Sequence, residues 1–439
     1  MNKDVMGVQE VSPEYELVAE NPAVPVGYKQ TEVGVIPEDW ETKTLGSALR
    51  KGRLGGNYPN QGTASDYPLM KMGNLGRGYF DVSKQEYICG GVIPDEQHRL
   101  RYSDVVFNTR NTLDLVGKIA IWRDELPIAY YNSNLMRLEF DKDVVASNEY
   151  ANYALNTTGS ITRLRALATG TTSVAAIYTR DLLDFAFIVP PKPEQKAIAT
   201  ALSDVDALLE ELDRLIAKKR DIKQAAMQQL LTGETRLPGF EGEWITVRAS
   251  DIGHFRGGNG FPTRFQGCSS GAYPFLKVSD MNNAGNDTFI EKANHHIDEP
   301  VRKQIGAAIF PSGTIIFAKV GAAIFLERKK ILTMPSCIDN NMTGYVLDSD
   351  TVDVRFIHYA LLRKNLGDLV ATTALPSLSG AVLASIELTI PPLEEQVSIA
   401  TVLSDMDTEI HALEQRRSKT AELKQCMMQE LLTGRTRLV

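Results

Sequence analysis

Two stretches of the chain carry apolar residues at alternating steps of four and three, which is the spacing of a coiled-coil seam. Each stretch follows a Pro-Pro pair, which ends a strand because proline cannot continue a ladder. Thr232-Gly233 and Thr433-Gly434 close them, since glycine suits the left-handed turn after a helix. The pattern predicts two helices, each a rod of about 57 Å. The seam positions are Ile198, Leu202, Val205, Leu209, Leu212 and Ile216 in the first, and Ile399, Leu403, Met406, Ile410 and Leu413 in the second.

The two helical stretches are copies of one sequence. Residues 189–237 align with residues 390–438 without a gap, and 24 of the 49 aligned positions are identical. Weaker similarity precedes each copy: residues 67–72 parallel residues 273–278, and Trp40 and Trp244 lie in similar entry segments. The chain is therefore a tandem duplication.

The segment before each helical stretch has the pattern of a small mixed domain. Short apolar runs such as DVVFN, KIAIW and GTIIFA predict strands, and NEYANYALN and RFIHYALLRK predict a helix near the end of each segment. The expected fold class is α+β, with two mixed α/β domains alternating with two long helices. The two equivalent helices can bury each other's apolar faces, so we expect an antiparallel coiled coil and a pseudo-two-fold internal repeat. Periodicity alone equally fits a helical hairpin that serves only as a dimerisation scaffold.

Charge and cysteine content narrow the class of protein. The net charge is −8, of which −4 falls in residues 1–24, and the two mixed segments are almost neutral. Composition therefore gives no positive support for nucleic-acid binding. The four cysteines lie far apart without a CxxC pair, which argues against a disulfide framework or a thiolate zinc site. With no secretory signal pattern and no long apolar run, we expect a cytoplasmic protein that does not enter a membrane.

The sequence shows no catalytic motif. It has no FxGxG loop and no NPPY or DPPY, so an amino-methyltransferase site is not expected. Gly117-Lys118 lacks the upstream glycines of a phosphate loop, and the pair His295-His296 has no accompanying metal-ligand motif. The Ser-Asp-x-Asp motifs at residues 203–206 and 404–407 fit a cation site less well than solvated charge or partner docking. We expect no catalytic residue and no metal site in this chain.

The doubled pattern PPxxEQxxIAxxLSDxD, followed by about 25 helical residues and QxLLTGxTRL, closely resembles the conserved regions of type I restriction-modification specificity subunits. Residues 27–41 also look like the entry to a first target-recognition domain. The resemblance covers about residues 25–439. It implies this division of the chain: an N-terminal extension (1–24), target-recognition domain 1 (25–188), a central helical spacer (189–238), target-recognition domain 2 (239–389) and a C-terminal helical spacer (390–439).

The resemblance also implies a function and its partners. Each target-recognition domain would recognise one half of a split, asymmetric site in double-stranded DNA. The paired helices would set the gap and dock two modification (methyltransferase) subunits, and restriction (motor-nuclease) subunits would join them. S-adenosylmethionine, ATP and Mg²⁺ are expected on the partner subunits, with no cofactor in this chain. The alternative is a coiled-coil adaptor with two protein-binding globules, for which the near-neutral charge is the only support.

Candidate DNA contacts are polar, basic and aromatic residues in predicted loops, because Arg, Lys, Asn and Gln recognise base edges. Lys71 and Lys277 share a repeat position, so we expect them to contact phosphate; shared residues cannot read different sequences. The candidates in domain 1 are Arg50, Lys51, Arg53, Asn57, Tyr58, Lys71, Asn74, Arg77, Asn108, Arg110, Asn111, Thr171, Thr172 and Ser173. Those in domain 2 are Arg256, Asn259, Arg264, Lys277, Asn282, Asn283, Lys319, Ser377 and Ser379.

Overall fold

The computed structural model describes residues 24–171, 173–370 and 376–438. These residues form two compact units, divided after Glu211 and after Arg416. The first unit contains the chain up to Glu211 and from Arg417 onward, and the second contains the chain between. Each unit therefore combines one mixed domain with the first part of one long helix and the last part of the other. Of the predicted N-terminal extension, residues 1–23 lie outside the described residues.

The first unit is a mixed domain of short strands and helices whose main sheet is antiparallel. Its strands are β1 (Tyr28–Thr31), β2 (Gly34–Pro37), β3 (Glu41–Thr44), β4 (Leu49–Leu54), β5 (Asn60–Gln61), β6 (Pro68–Met70), β7 (Glu86–Ile88), β8 (Val105–Asn108), β9 (Arg110–Asn111), β10 (Ile119–Ile121), β11 (Tyr130–Tyr131), β12 (Leu135–Phe140), β13 (Thr169–Gly170), β14 (Ala175–Ala176) and β15 (Ala186–Val189). Its helices are α1 (Leu45–Ala48), α2 (Asn148–Leu155), α3 (Thr158–Ala166), α4 (Thr179–Leu183) and the first part of α5 (Lys192–Leu230).

The main sheet of the first unit has the strand order β10-β8-β12-β4, and every pairing in it is antiparallel. The central strand β8 is buried along its whole length, as expected for a continuous apolar run covered on both faces. Helix α2 packs on this sheet, and its Tyr150 joins Trp40 and Phe187 in one hydrophobic core. That core extends into the long helices through Ile198 and Leu431.

The second unit repeats this arrangement. Its strands are β16 (Ile245–Arg248), β17 (Gly253–Gly257), β18 (Tyr273–Leu276), β19 (Phe289–Ile290), β20 (His296–Ile297), β21 (Ile315–Ala318), β22 (Lys329–Leu332), β23 (Cys337–Ile338), β24 (Met342–Leu347) and β25 (Glu387–Ile390). Its helices are α6 (Glu299–Ile305), α7 (Val354–Leu362), α8 (Gly380–Ala384) and the first part of α9 (Leu393–Leu431). The main sheet has the order β17-β24-β21-β22-β19.

The internal repeat is confirmed by the register of the strands. In the first unit Phe107 of β8 pairs with Met136 of β12, and in the second Phe317 of β21 pairs with Thr343 of β24. The predicted strand runs are β8, β10, β15, β21 and β25, and the predicted helices near the ends of the segments are α2 and α7. Helix α3 and the β1–β2 hairpin have no strong sequence periodicity and were not predicted.

The long helices α5 and α9 run antiparallel in both units, as predicted. In the first unit Ile198 near the start of α5 shares a core with Leu431 at the end of α9. In the second unit Met227 near the end of α5 shares a core with Ile399 near the start of α9. The seam positions predicted from sequence are buried at Ile198, Leu202, Leu212, Ile216, Ile399, Leu403 and Ile410, and half-buried at Val205, Leu209, Met406 and Leu413.

A buried carboxylate holds the two helix ends together in the first unit. Glu194, in the first turn of α5, has no exposed surface. The guanidinium of Arg437, which follows α9, donates to both of its oxygens at 2.6 and 2.7 Å, and Trp40 Nε1 donates at 2.9 Å. Arg437 also donates twice to Asp39, at 2.9 and 2.8 Å, and this pairing lowers the pKa of Asp39. We call the Glu194–Arg437 pair the first clasp.

The second unit contains the repeat-equivalent clasp. Arg236 donates to both oxygens of the buried Glu395, at 3.0 and 2.5 Å. Trp244 occupies the place of Trp40, but its buried indole nitrogen has no hydrogen-bond partner in the described part of the chain. Each clasp thus joins the EQ motif of one repeat to the TRL motif of the other.

The glutamine that follows each clasp glutamate connects the helix to the mixed domain. Gln195 Nε2 donates to the carbonyls of Pro190 and Val144, at 2.9 and 3.0 Å, and its oxygen accepts from Ala146 N at 2.8 Å. Gln396 donates to Pro391 O at 2.8 Å and accepts from Asp353 N at 3.0 Å. These bonds satisfy the carbonyls of Pro190 and Pro391 and, in each unit, backbone groups of the segment just before α2 or α7.

A second pair of contacts uses the last aspartate of each Ser-Asp-x-Asp motif. In the first unit Asp206 accepts from Tyr153 Oη of α2 at 2.6 Å and pairs with Lys424 of α9 at 2.5 Å. In the second unit Asp407 accepts from Tyr359 Oη at 2.7 Å and pairs with Lys223. Burial and the hydrogen bond to Asp206 raise the pKa of Tyr153 to about 12. We call these tyrosine–aspartate–lysine groups the latches.

Removing the arginine of the first clasp should destabilise the first unit. Arg437→Met leaves the Glu194 carboxylate buried with one remaining donor, and breaking a buried pair in this way costs about 3 kcal/mol. Urea denaturation followed by tryptophan fluorescence measures the change. The double variant Glu194→Met/Arg437→Met removes the unpaired charge, so it should be more stable than Arg437→Met. A double variant that is less stable than Arg437→Met would contradict this account.

His358 should make the second unit sensitive to acid. The ring is buried and its Nε2 lies 2.8 Å from Lys329 O, so the nitrogen donates as a neutral imidazole. Burial lowers the pKa of His358 to about 4 from an unfolded value of about 6.5. The unfolded chain therefore binds more protons between these values, and stability that is complete above pH 6.5 falls by about 3 kcal/mol as the pH drops towards 4.

The variant His358→Asn tests this, because Asn152 occupies the equivalent position in the first repeat and donates to Gly78 O at 3.1 Å. The midpoint of urea unfolding should fall less between pH 7 and pH 5 in this variant than in the wild type. His254→Asn, at an exposed histidine, is the matched control. Equal pH dependence in the wild type and His358→Asn would refute the assignment.

Candidate nucleic-acid interface

The main sheets of both units end in a surface of loops that carries several predicted contacts. In the first unit Leu54 pairs with Met136, which pairs with Phe107, so the loops after β4 and β8 emerge at the same end of the sheet. Strand β9 continues β8 and pairs with β14, which pairs with β13. We call this end of each main sheet the strand-end surface.

In the first unit the strand-end surface brings together several of the predicted residues. Asn57, Arg110, Thr171 and Ser173 are exposed there, and Asn111 is half-buried. Thr172 lies outside the described residues. Asn108 is fully buried, and its Oδ1 accepts from Arg110 N at 3.2 Å, so it shapes the turn and is not available to DNA.

Other predicted residues of the first unit lie elsewhere or have structural partners. Arg50 and Lys51 are exposed, but they are near the opposite end of β4, where Lys51 pairs with Glu139 across the sheet. Arg53 Nε lies 3.3 Å from the carboxylate of Glu139. Tyr58 Oη is 2.7 Å from His98 Nδ1 and accepts from Asp95 N at 2.9 Å, so it fixes a loop.

The shared lysines have structural partners as well. Lys71 Nζ is 2.9 Å from a carboxylate oxygen of Glu86, and Lys277 Nζ donates to Gln266 at 3.1 Å. Each lysine also begins a 3₁₀ turn that a buried side chain caps: Asn74 Oδ1 accepts from Lys71 N at 2.9 Å, and Asp280 accepts from Lys277 N at 2.8 Å. Their common position therefore has a structural reason, and phosphate contact by these lysines stays a prediction.

The strand-end surface of the second unit carries a different set of groups. Lys319, half-buried, follows β21, and Ser377 is exposed where its segment bridges to Val320. Asn259 lies at the same end, but its Oδ1 accepts from Ala308 N at 2.9 Å. Arg256 is exposed on β17, one residue before that strand ends.

The remaining candidates of the second unit are more scattered. Arg264 is exposed and its guanidinium lies over Phe265, 4.8 Å from the ring centroid. Asn282 is exposed, and Asn283 donates to Asn294 at 3.1 Å. Ser379 caps the N-terminus of α8 by accepting from Val382 N at 3.2 Å.

Sequence reasoning missed two cations beside the first strand-end surface. Lys118 precedes β10, and its carbonyl accepts from Asn108 N at 2.8 Å, which places it at the same end of the sheet. Arg165, at the end of α3, is exposed. Partial burial and the neighbouring charge of Arg165 lower the pKa of Arg77, and partial burial and Arg77 lower the pKa of Lys118. The only sequence signal for Lys118 was the pair Gly117-Lys118, which does not fit a phosphate loop.

Within the described part of the chain, no group of three or more His, Cys, Asp or Glu side chains could hold a metal ion. The second aspartate of each Ser-Asp-x-Asp motif, Asp206 or Asp407, belongs to a latch, whereas Asp204 and Asp405 are exposed. His295 accepts from Gly267 N at 2.9 Å through Nδ1 and belongs to a surface loop. Among the same residues, none of the helices is both long and apolar enough to span a membrane.

The chain is similar to known proteins over most of its length. The putative type I restriction enzyme MjaX specificity subunit of Methanocaldococcus jannaschii is 24% identical, over 94% of this chain and 97% of that protein. The type I restriction enzyme MjaVIII specificity subunit of the same organism is 22% identical, over 92% and 94% respectively.

Solved structures show the same fold. The S subunit of the type I restriction-modification system of M. genitalium superposes with a TM-score of 0.59 at 16% identity, covering 89% of this chain and 96% of that chain. A chain from a structural study of complex assembly and conformational transition in the type I R-M system gives a TM-score of 0.54 at 16% identity, covering 91% and 99%.

The model of the type I restriction modification DNA specificity domain matches residues 37–219 and again residues 241–424. Each match contains one mixed domain and most of the helix that follows it. Because the two matches together cover most of the chain, this protein belongs to the family of type I restriction-modification specificity subunits.

Proposed function

We propose that this chain is the DNA-recognition subunit of a type I restriction-modification complex and performs no catalysis itself. Target-recognition domain 1 recognises one half of a split DNA site, and target-recognition domain 2 recognises the other. The observation that carries this is the pair of family matches, each with its own strand-end surface. A protein with two separate recognition surfaces on one chain is suited to a bipartite site.

The two half-sites should differ, because equivalent positions on the strand-end surfaces hold different residues. The carbonyl of Thr109 accepts from Ile177 N in the first unit, and the carbonyl of Lys319 accepts from Leu378 N in the second. These bonds identify Thr109 with Lys319, and therefore Arg110 with Val320. Groups of such different charge and hydrogen-bonding capacity cannot favour the same bases. The recognised site is therefore asymmetric.

The helices provide the spacer and the docking surface for two modification subunits. Each helix spans 39 residues, which corresponds to about 58 Å of rise. A turn of B-DNA is about 34 Å long, so helices of this length match the scale of a gap between half-sites. S-adenosylmethionine, ATP and Mg²⁺ are assigned to the modification and restriction subunits.

A genome-wide map of methylated bases in cells with and without this gene tests the function. We expect methylation to disappear at one split, asymmetric motif when the gene is removed. Restoring the gene should restore the motif, which controls for secondary changes. An unchanged map in cells that express the partner subunits would favour the adaptor function instead.

The spacer is tested by inserting four residues after Glu211 and four after Arg416, where the two units divide. These positions leave the clasps and the latches of each unit intact. The insertion adds about 6 Å of helical rise, so the gap in the methylated motif should grow by one or two base pairs, since base pairs stack about 3.4 Å apart. Both half-site sequences should stay the same. A changed half-site would show that the helices do more than set the spacing.

A further inference from the structure

Three cations of the first unit gather beside its strand-end surface, and none of them has a neutralising partner among the residues that the structure describes. Gly78 N donates to Ile119 O at 2.7 Å, which fixes the loop carrying Arg77 against the strand that follows Lys118. The Lys118 ammonium donates to Leu75 O at 2.9 Å, and Arg165 donates to Asp114 O at 3.2 Å. Both acceptors are backbone carbonyls, which leave the positive charges uncompensated.

Several other basic side chains of this unit are neutralised by carboxylates. Arg137 pairs with Asp104 at 3.2 Å, Lys71 pairs with Glu86, and Lys424 pairs with Asp206. Among the described residues, Arg77, Lys118 and Arg165 form no ion pair with a carboxylate. Partial burial lowers the pKa of Arg77 and of Lys118, and the charge of Arg165 adds to the effect on Arg77 as that of Arg77 does on Lys118.

The surrounding structure keeps this arrangement in place although like charges repel. The buried Asn152 of α2 donates to Gly78 O at 3.1 Å, and Asn156 donates to Ile119 O at 3.1 Å. The loop itself is a tight turn in which Gly76 N donates to Tyr79 O at 2.9 Å, and Gly78 has a φ of +90° that disfavours a side chain. A rigidly held group of unpaired cations is a binding site for anions.

We propose that Arg77, Lys118 and Arg165 form a phosphate-binding cluster that contacts the backbone of duplex DNA beside the half-site recognised by domain 1. This inference rests on the proposed function and adds to it the residues that anchor the DNA. The cluster adjoins Asn108 and the loop from α3 to β13, so it flanks the exposed Arg110 and Thr171. Arg165 is exposed and Arg77 and Lys118 are half-buried, so the cluster can be reached from solvent, as contact with a duplex backbone requires.

Phosphate contacts and base contacts are distinguished by their dependence on salt and sequence. Each phosphate contact contributes about 0.9 to the slope of the logarithm of the binding constant against the logarithm of the salt concentration. This contribution is the same for every DNA sequence. The experiment uses the purified full-length chain and two duplexes of unrelated sequence. Each is about 30 base pairs long, which at about 3.4 Å per base pair exceeds the length of a 39-residue helix. Binding is measured by fluorescence anisotropy from 25 to 200 mM NaCl. The test variant is Arg77→Gln/Lys118→Gln/Arg165→Gln.

The triple variant should bind both duplexes at least tenfold more weakly at 100 mM salt, with the salt slope reduced by about 2 to 3. The control variant Lys84→Gln/Arg101→Gln/Lys196→Gln removes the same charge at exposed positions outside the cluster and should change the slope less. The thermal unfolding temperature of the test variant shows whether a loss of binding is caused by a loss of folding. Removing mutual repulsion should leave the melting temperature of the test variant unchanged or higher, whereas loss of a structural contact would lower it.

Three results would overturn the inference. The first is a test variant whose affinity and salt slope match those of the control. The second is calorimetric binding of inorganic phosphate that the test variant loses while duplex binding is unchanged, which would make the cluster a small-anion site. The third is a wild-type chain that binds no duplex at 25 mM salt. None of these would refute the proposed function, which the methylation map decides in the presence of the partner subunits.

Discussion

The structure depends on two buried carboxylates, one from each repeat. Each carboxylate is neutralised by an arginine of the other repeat. Glu194 and Glu395 lie at the starts of the two long helices with no exposed surface, and the arginines that neutralise them follow the ends of the opposite helices. A buried carboxylate without a partner is strongly unfavourable, so neither mixed domain is complete with its own repeat alone. The antiparallel pairing of the helices follows from this exchange, because only that direction brings a helix start beside a helix end.

Several of the residues that the two repeats share make these exchanges. The clasps, the glutamines beside them and the latches use identical residues in both copies. The glycines after the helices are explained in the same way: Gly233 and Gly434 both have a φ of +74°. A Cβ at Gly434 would lie 2.5 Å from Pro37, and one at Gly233 would lie 3.4 Å from Trp244. These identical residues meet the same packing requirement in both repeats. This shared requirement explains why the helical stretches align better than the mixed domains.

Much of the fold could be predicted from the sequence, and the limits have physical causes. Helices α5 and α9 have long periodic seams, and strands such as β8 are continuous apolar runs, so local patterns determine them. The seam loses its apolar character at Lys219 and Lys223, and the structure shows why: Lys219 Nζ lies 2.7 Å from Glu409, and Lys223 belongs to a latch. These are contacts between residues almost two hundred positions apart, which no local pattern contains.

The candidate site was harder to predict, because residue type does not determine whether a side chain is free. Asn108 and Arg110 are two positions apart in one predicted loop, yet the first is buried and the second is exposed. Arg53 and Arg77 are both arginines near glycines, but of the two only Arg53 lies beside a carboxylate of the described residues, that of Glu139. Arg77, Lys118 and Arg165 come from three separate segments and become one cluster only when strands and helices bring them together. What qualifies a cation to hold a phosphate is the absence of an internal partner, and that property exists only in the folded chain.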